Sequence, residues 1–174
     1  MPNATATAYH FTDDGTIPNN PTLPMLVYPS AVDLSSASDP AAPFEHLFTQ
    51  NHWTGGSWRN GIYPFPHYHS TAHEVLGIAR GQAEVRFGGQ TGVVLTVKAG
   101  DVALLPAGCG HQNLGATSDL LVVGAYPPGP DWDLCRGERG ERPRVIDNIA
   151  NVPLPITDPV GGEQGPVIEH WLKQ

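Results

Sequence analysis

The sequence predicts an all-β domain, a sandwich or barrel of short strands. Three observations carry that expectation. Between Trp58 and Tyr126, short apolar or alternating runs recur every few residues. Gly or Pro separates the runs, as turns between short strands require. No stretch has the sustained 3.6-residue apolar period of a long amphipathic helix.

In chain order, the first forty residues are rich in Pro, Asn, Ser and Asp, with one strand-like run, Leu23–Tyr28. Asp39-Pro40 predicts the start of a short helix over Phe44–Phe48. An Asp there accepts orphan amide bonds, and Pro suits a first turn. Gly55-Gly56 ends that segment. Strands are then expected at Phe65–Ser70, Glu74–Arg80, Ala83–Phe87, Val93–Val97, Val102–Leu105 and Leu120–Tyr126. The glycines Gly81, Gly88, Gly89, Gly100, Gly108 and Gly115 fall between or beside them. After Tyr126 the chain turns Pro- and charge-rich, and the apolar piece Pro166–Leu172 reads as a last strand. The barrel core should span about 57–126, with segments 1–56 and 127–174 packing on it or on a partner subunit.

A chain of 174 residues suffices for one domain with a real core. Apolar residues at 40% and charged residues at 15% argue against disorder. Nine basic and 17 acidic residues give a formal charge of −8. Without a basic run, that balance argues against nucleic acid or anionic membrane as a partner. No apolar run approaches the roughly 20 residues of a bilayer span. Met1–Ala8 lacks the basic start and apolar stretch of a signal peptide, so a cytoplasmic location is expected. Cys109 and Cys135 are then expected as reduced thiols, too few for a disulfide framework.

Four of the eight histidines, His67, His69, His73 and His111, fall in two tight groups within the β region. His67 and His69 are one residue apart, so on an extended chain both imidazoles face the same way, about 7 Å apart. Glu74 follows after a turn at Ser70-Thr71 and brings a carboxylate from the next strand. His111 follows Pro106-Ala107-Gly108, where a tight turn aims it inward. Three imidazoles and a carboxylate suit Mn, Fe, Co, Ni, Cu or Zn, and the absence of thiolates argues against a closed structural zinc site.

These residues carry a specific resemblance. Gly61-x5-His67-x-His69-x4-Glu74-x6-Gly81 matches the first motif of the cupin superfamily at each fixed position. Gly100-x5-Pro106-x-Gly108-x2-His111 matches the second. The chain resembles the small bacterial single-cupin proteins of the YjlB-like group, a likeness that takes in Trp58-Arg59-Asn60-Gly61 and the Pro-rich tail. One position departs: the second motif usually carries Asn four residues after its His, where this chain has Gly115. Asn113, at an even offset, takes the interior-facing place on a regular strand.

The resemblance implies a cupin (RmlC-like) jelly-roll β-barrel with a few short helices. It implies one divalent transition metal held by His67, His69, Glu74 and His111, and a homodimer. Proteins so built include dioxygenases, isomerases, decarboxylases, oxalate-degrading enzymes and simple sugar or ligand binders, and the fold alone does not choose. The leading expectation is a mononuclear metalloenzyme acting on a small oxygen-rich metabolite. The alternative is a non-catalytic small-molecule binder or structural metal protein with the same ligands. A metal-free epimerase would need a His–Asp base pair in place of this set.

Other residues carry paired readings. Trp53, Trp58, Arg59 and Tyr63 either form the mouth of the barrel, with Arg59 clamping a substrate carboxylate, or simply close its end with Arg59 in a surface pair. Arg59, Tyr63 and Asn113 are the substrate-binding candidates. His73 should point away from Glu74, Cys109 should be a buried inert thiol, and Arg86 should be structural. Leu76 and Ile78 share the face of Glu74 and predict an apolar pocket wall.

Overall fold

The computed structural model describes residues 4–173. Met1–Asn3, within the N-terminal stretch read above, and Gln174 lie outside the described residues. The strands in order are β1 (Thr7–Tyr9), β2 (Met25–Tyr28), β3 (Ser57–Asn60), β4 (Glu74–Arg80), β5 (Gln82–Phe87), β6 (Val93–Lys98), β7 (Val102–Leu105), β8 (His111–Ala116) and β9 (Leu121–Ala125). The helix α1 (Ala42–Gln50) falls between β2 and β3, and α2 (Arg144–Asn151) follows β9. The strands form a six-stranded sheet, β1-β2-β7-β4-β9-β3, and a three-stranded sheet, β6-β5-β8. Every pairing is antiparallel.

The burial patterns explain the layering. β5 alternates buried and open, as a strand with one wet face must. β4 instead buries every residue but Arg80, because both of its faces are covered. Leu76 and Ile78 pack with Ala83, Val85, Phe87 and Val97 of the smaller sheet. Val75 and Ala79 pack outward with Phe44 and Phe48 of α1, Trp53 and Trp171. Gly77, on that outer face, allows α1 its close approach. A Cβ built there would lie 2.3 Å from a ring carbon of Phe44. Gly77→Ala should therefore cost about 1–3 kcal/mol through overpacking, read as a lower urea midpoint with an unchanged slope.

The sequence reading located β4 and β7 at their observed bounds and β5, β6 and β9 within one residue. Leu23–Tyr28 supplies β2, and α1 begins within two residues of Asp39-Pro40. There the Asp39 carboxylate accepts the Ala41 amide (3.2 Å) and its carbonyl accepts the Ala42 amide (3.2 Å).

Two expectations are corrected, and one helix is new. Phe65–Ser70 is not a ladder strand and pairs only through single bridges at His67 and Tyr68. Pro64 and Pro66 lack the amide donors that a continuous ladder needs. Pro166–Leu172 is helical, closing in a π-helical turn over Ile168–Leu172. Val167 and Trp171, four residues apart, both enter the outer core, and that spacing favours a helical turn over a strand. α2 was not anticipated; Val145 and Ile149 form its buried side, too short a signal in a charged stretch.

Asp158 pins this C-terminal segment to the sheet. Fully buried, its carboxylate accepts the Tyr28 hydroxyl (2.6 Å) and the amides of Val160 (2.8 Å), Gly161 (2.8 Å) and Val167 (2.9 Å).

Candidate metal centre

Backbone pairing brings the distant histidines together. His67 and His111 form an antiparallel bridge with reciprocal amide-to-carbonyl bonds of 3.1 and 2.9 Å. Directly opposed residues on such a bridge project to the same side, and their ring centroids lie 3.9 Å apart. His69, two residues on, projects to that side as well. Its carbonyl accepts the Gly108 amide at 2.8 Å. Gly108 has φ +92°, and a Cβ there would lie 2.6 Å from the Asn19 carbonyl oxygen, so only glycine makes this turn cheaply. Glu74 opens β4 on the parity of Leu76 and faces the same interior.

The donor atoms fit one ion. Donor nitrogens of His67, His69 and His111 all lie within 4.8 Å of one another, and all three residues are buried. Each Nδ1 sits against a carbonyl: Phe65 for His67 (3.0 Å), Cys109 for His111 (3.1 Å) and Asp133 for His69. A carbonyl only accepts, so each Nδ1 carries a proton there, which leaves Nε2 as the nitrogen that would bind a metal, the arrangement that orients imidazole ligands. The Glu74 oxygens lie 3.4 Å from Nε2 of His69 and 3.4 Å from Nε2 of His111. The Tyr126 hydroxyl donates to Glu74 Oε2 at 2.6 Å and accepts the Trp58 indole N–H at 2.9 Å.

The electrostatics point the same way. Burial, reinforced by the neighbouring His111, pushes His67 down to about 3, so its imidazole is neutral at pH 7. Burial also works against charge on His69, but the Glu74 carboxylate and the Asp133 groups raise it to about 8. Burial likewise opposes a charge on Glu74, yet His69 and His111 hold its carboxyl well below the usual range. A buried anion among imidazoles is the charge pattern that a cation satisfies. Burial and the Glu74 charge push the Tyr126 phenol above its ordinary value, so it stays a hydrogen-bond donor.

The four groups line a cavity of about 430 Å³. Leu76 forms part of its wall, as the strand parity predicted. Of the three substrate-binding candidates, Tyr63 lines the cavity. Arg59 does not. Its guanidinium is tied to Asp39 (2.9 Å) and Glu45 (2.5 Å) on the surface, because β3 turns it toward α1. Asn113 does not either: its side chain accepts the Gly115 amide at 2.9 Å. Its even offset from His111 does hold, with Phe87 opposite His111 and Val85 opposite Asn113; the register shifts only beyond it, where Glu84 lies opposite Gly115, and the side chain bonds into that bulge.

Trp58 lines the cavity, whereas Trp53 is buried in the outer core with its indole N–H on the Thr157 carbonyl (3.1 Å). His73 turns away, accepting the Ala107 amide at Nδ1 (2.9 Å) with its ring 4.9 Å from Trp171. Cys109 is buried, and that burial pushes its thiol up. Arg86 borders a separate, smaller cleft.

Sequence reasoning missed Tyr126, Trp132 and Asp133. Residues 131–135 form a strap over His69. Tyr68 and Cys135 pair by reciprocal 2.9 Å bonds, and the Thr71 hydroxyl donates to the Asp131 carbonyl (2.7 Å). The Asp133 carboxylate accepts the Ser70 amide (2.6 Å). Farther along, Glu141 accepts the Tyr68 hydroxyl (2.5 Å) and the amides of Arg136 (2.7 Å) and Gly137 (3.0 Å). Burial opposes its charge, but these donors hold its carboxyl below the usual range. A depressed folded value means the contribution is complete above the unfolded pKa, near 4.3, and is lost as pH falls through the folded value. Glu141→Gln should lower stability by about 1–2 kcal/mol at pH 7. Melting curves of both proteins should converge as pH drops below about 4.

A family model described as cupin matches residues 58–127. The uncharacterized protein YjlB of Bacillus subtilis is 38% identical over 165 residues, covering 95% of this chain and 96% of that protein. Among solved structures, the acireductone dioxygenase of Bacillus anthracis, with a cadmium ion in its active centre, matches 62% of this chain and 80% of its own. Its TM-score is 0.42 at 14% identity. The 11S globulin of Wrightia tinctoria matches 45% of this chain with a TM-score of 0.36 at 17% identity, and the chain spans 21% of that globulin's length.

Proposed function

The chain belongs to the cupin family, in its YjlB-like group, and from that premise we propose that it is a mononuclear transition-metal enzyme acting on a small oxygen-rich metabolite. One observation carries this reading: three imidazoles with Nδ1 on carbonyls gather their donor atoms in a substrate-sized cavity, with the Glu74 carboxylate 3.4 Å from two of the Nε2 atoms. His67, His69, His111 and Glu74 would hold the ion. A metal so held supplies Lewis acidity toward a carbonyl, enol or hydroxy acid, or O2 activation if it is iron.

The chain's own groups do the rest. The three carbonyls fix which imidazole nitrogen is free. Tyr126, itself fixed by Trp58, holds one Glu74 oxygen so that the carboxylate cannot rotate out of place. Leu76 and the aromatic wall limit water at the site. Tyr126→Phe should lower metal affinity about 10–100-fold, the usual effect of losing an outer partner of a ligand. Chelator competition measures it, and an unchanged affinity would remove Tyr126 from this role.

The test of function is elemental analysis of protein from its own host, then a screen of oxyacids, enediols and sugars on that form. Substrate consumption or product formation supports the enzyme. Spectral change at the metal without consumption of any compound or of O2 would make the protein a binder instead.

A further inference from the structure

The cavity wall has a chemistry that the ligand set does not use. An arc of rings runs around the imidazoles. Tyr63 lies edge-on to His67 at 5.2 Å and stacks with Phe65 at 4.8 Å. On the far side Trp132 lies edge-on to His69 at 5.4 Å and stacks with Tyr126 at 6.1 Å, the planes 14° apart. Tyr63 and Trp132 remain 44% and 45% exposed, although both line the cavity. Large rings left open at a cavity mouth are surface that a ligand covers.

The wall also lacks a cation. Among the described residues, no Lys or Arg lines the cavity. Arg59 is committed to Asp39 and Glu45, and Arg136 lies over Phe65, 3.8 Å from its centroid. A divalent ion with Glu74 and three neutral imidazoles leaves a net charge of about +1. A singly ionised ligand neutralises that charge. A dianion would leave an excess negative charge in a partly buried, aromatic-walled space within a chain of net charge −8, with no side chain to compensate it.

Resting on the metal-site reading above, we infer that the ligand is a planar aromatic molecule carrying adjacent hydroxyls, uncharged or singly ionised, that packs against Tyr63 and Trp132. Dicarboxylates and sugar phosphates are disfavoured. Tyr63 and Trp132 are then the residues that set specificity, and neither is needed to hold the ion.

The probes are naphthalene-2,3-diol, oxalate and glucose 6-phosphate, titrated by calorimetry into the full-length protein loaded with Zn2+. Each affinity is referenced to that of the same compound for Zn2+ in buffer. The diol should gain at least about tenfold over both anions. Trp132→Ala should reduce diol binding about tenfold, a typical loss for one stacked ring, and leave zinc content and oxalate binding unchanged. Tyr63→Leu, outside the strap, should do the same and covers the case in which Trp132→Ala unfolds. Full zinc content with oxalate or the sugar phosphate preferred overturns the inference and leaves the metal site standing. So does an equal loss of all three probes in both variants. Failure of the wild-type protein to hold zinc overturns the metal-site reading, and this inference falls with it.

Discussion

His69→Ala should emerge from purification with on the order of a tenth or less of the wild-type metal. Losing an outer partner of a ligand costs about 10–100-fold in affinity, and losing the ligand itself costs more. The same substitution removes one of the imidazoles that keep Glu74 ionised against burial and leaves its carboxylate with His111 and the Tyr126 hydroxyl. The Asp133 carbonyl loses one bond, but the strap keeps its contacts to Ser70, Thr71 and Tyr68. The variant should therefore remain folded, with a circular dichroism spectrum like that of the parent. Full stoichiometric metal in a folded His69→Ala protein would end the account of the site.

Asp158→Ala should be the most destabilising of the substitutions considered. Its carboxylate is the shared acceptor of one hydroxyl and three amides. Truncation strands those donors and opens a void between Tyr28 and the C-terminal helical turn. Removing one partner of a buried charged network costs on the order of 3–5 kcal/mol. For a domain of this size that corresponds to a fall of roughly 6–20 °C in melting temperature. Asp158→Asn keeps one acceptor oxygen and should lose less than half as much. Equal losses in both variants would show that the second acceptor oxygen, which the near-isosteric amide lacks, decides the stability there.

The legible part of the fold was local. β4 and β7 read from the sequence because unbroken apolar runs end sharply, at Gly81 after β4 and at Gly100 and Pro106 around β7. The spacing of His67, His69, Glu74 and His111 was legible because strand parity and a Gly turn fix direction over a few residues. The rest depended on pairing between remote segments. Arg59 has no sequence-level sign that Asp39 and Glu45 await it across α1. Asn113 obeys strand parity, but the bulge that follows it exists only in the pairing with β5, and there its side chain is taken up by the Gly115 amide. Tyr126 sits at the end of an ordinary strand run, and Trp132 in a Pro-rich tail. Both reach the site only because β9 adjoins β4 and the tail pairs with Tyr68.

Pro166–Leu172 marks the limit of composition. Val167 and Ile168 favour strands by residue type, but the described residues there join neither sheet. The acceptor offered by Asp158 and the slot for Trp171 decide for a helical turn.

The central claim is most directly tested by anomalous diffraction at the absorption edge of whichever metal the purified protein carries. The account predicts a single strong peak about 2.0–2.2 Å from Nε2 of His67, His69 and His111 and within bonding distance of a Glu74 oxygen. A strong peak elsewhere, with those three nitrogens engaged by other groups, would contradict it.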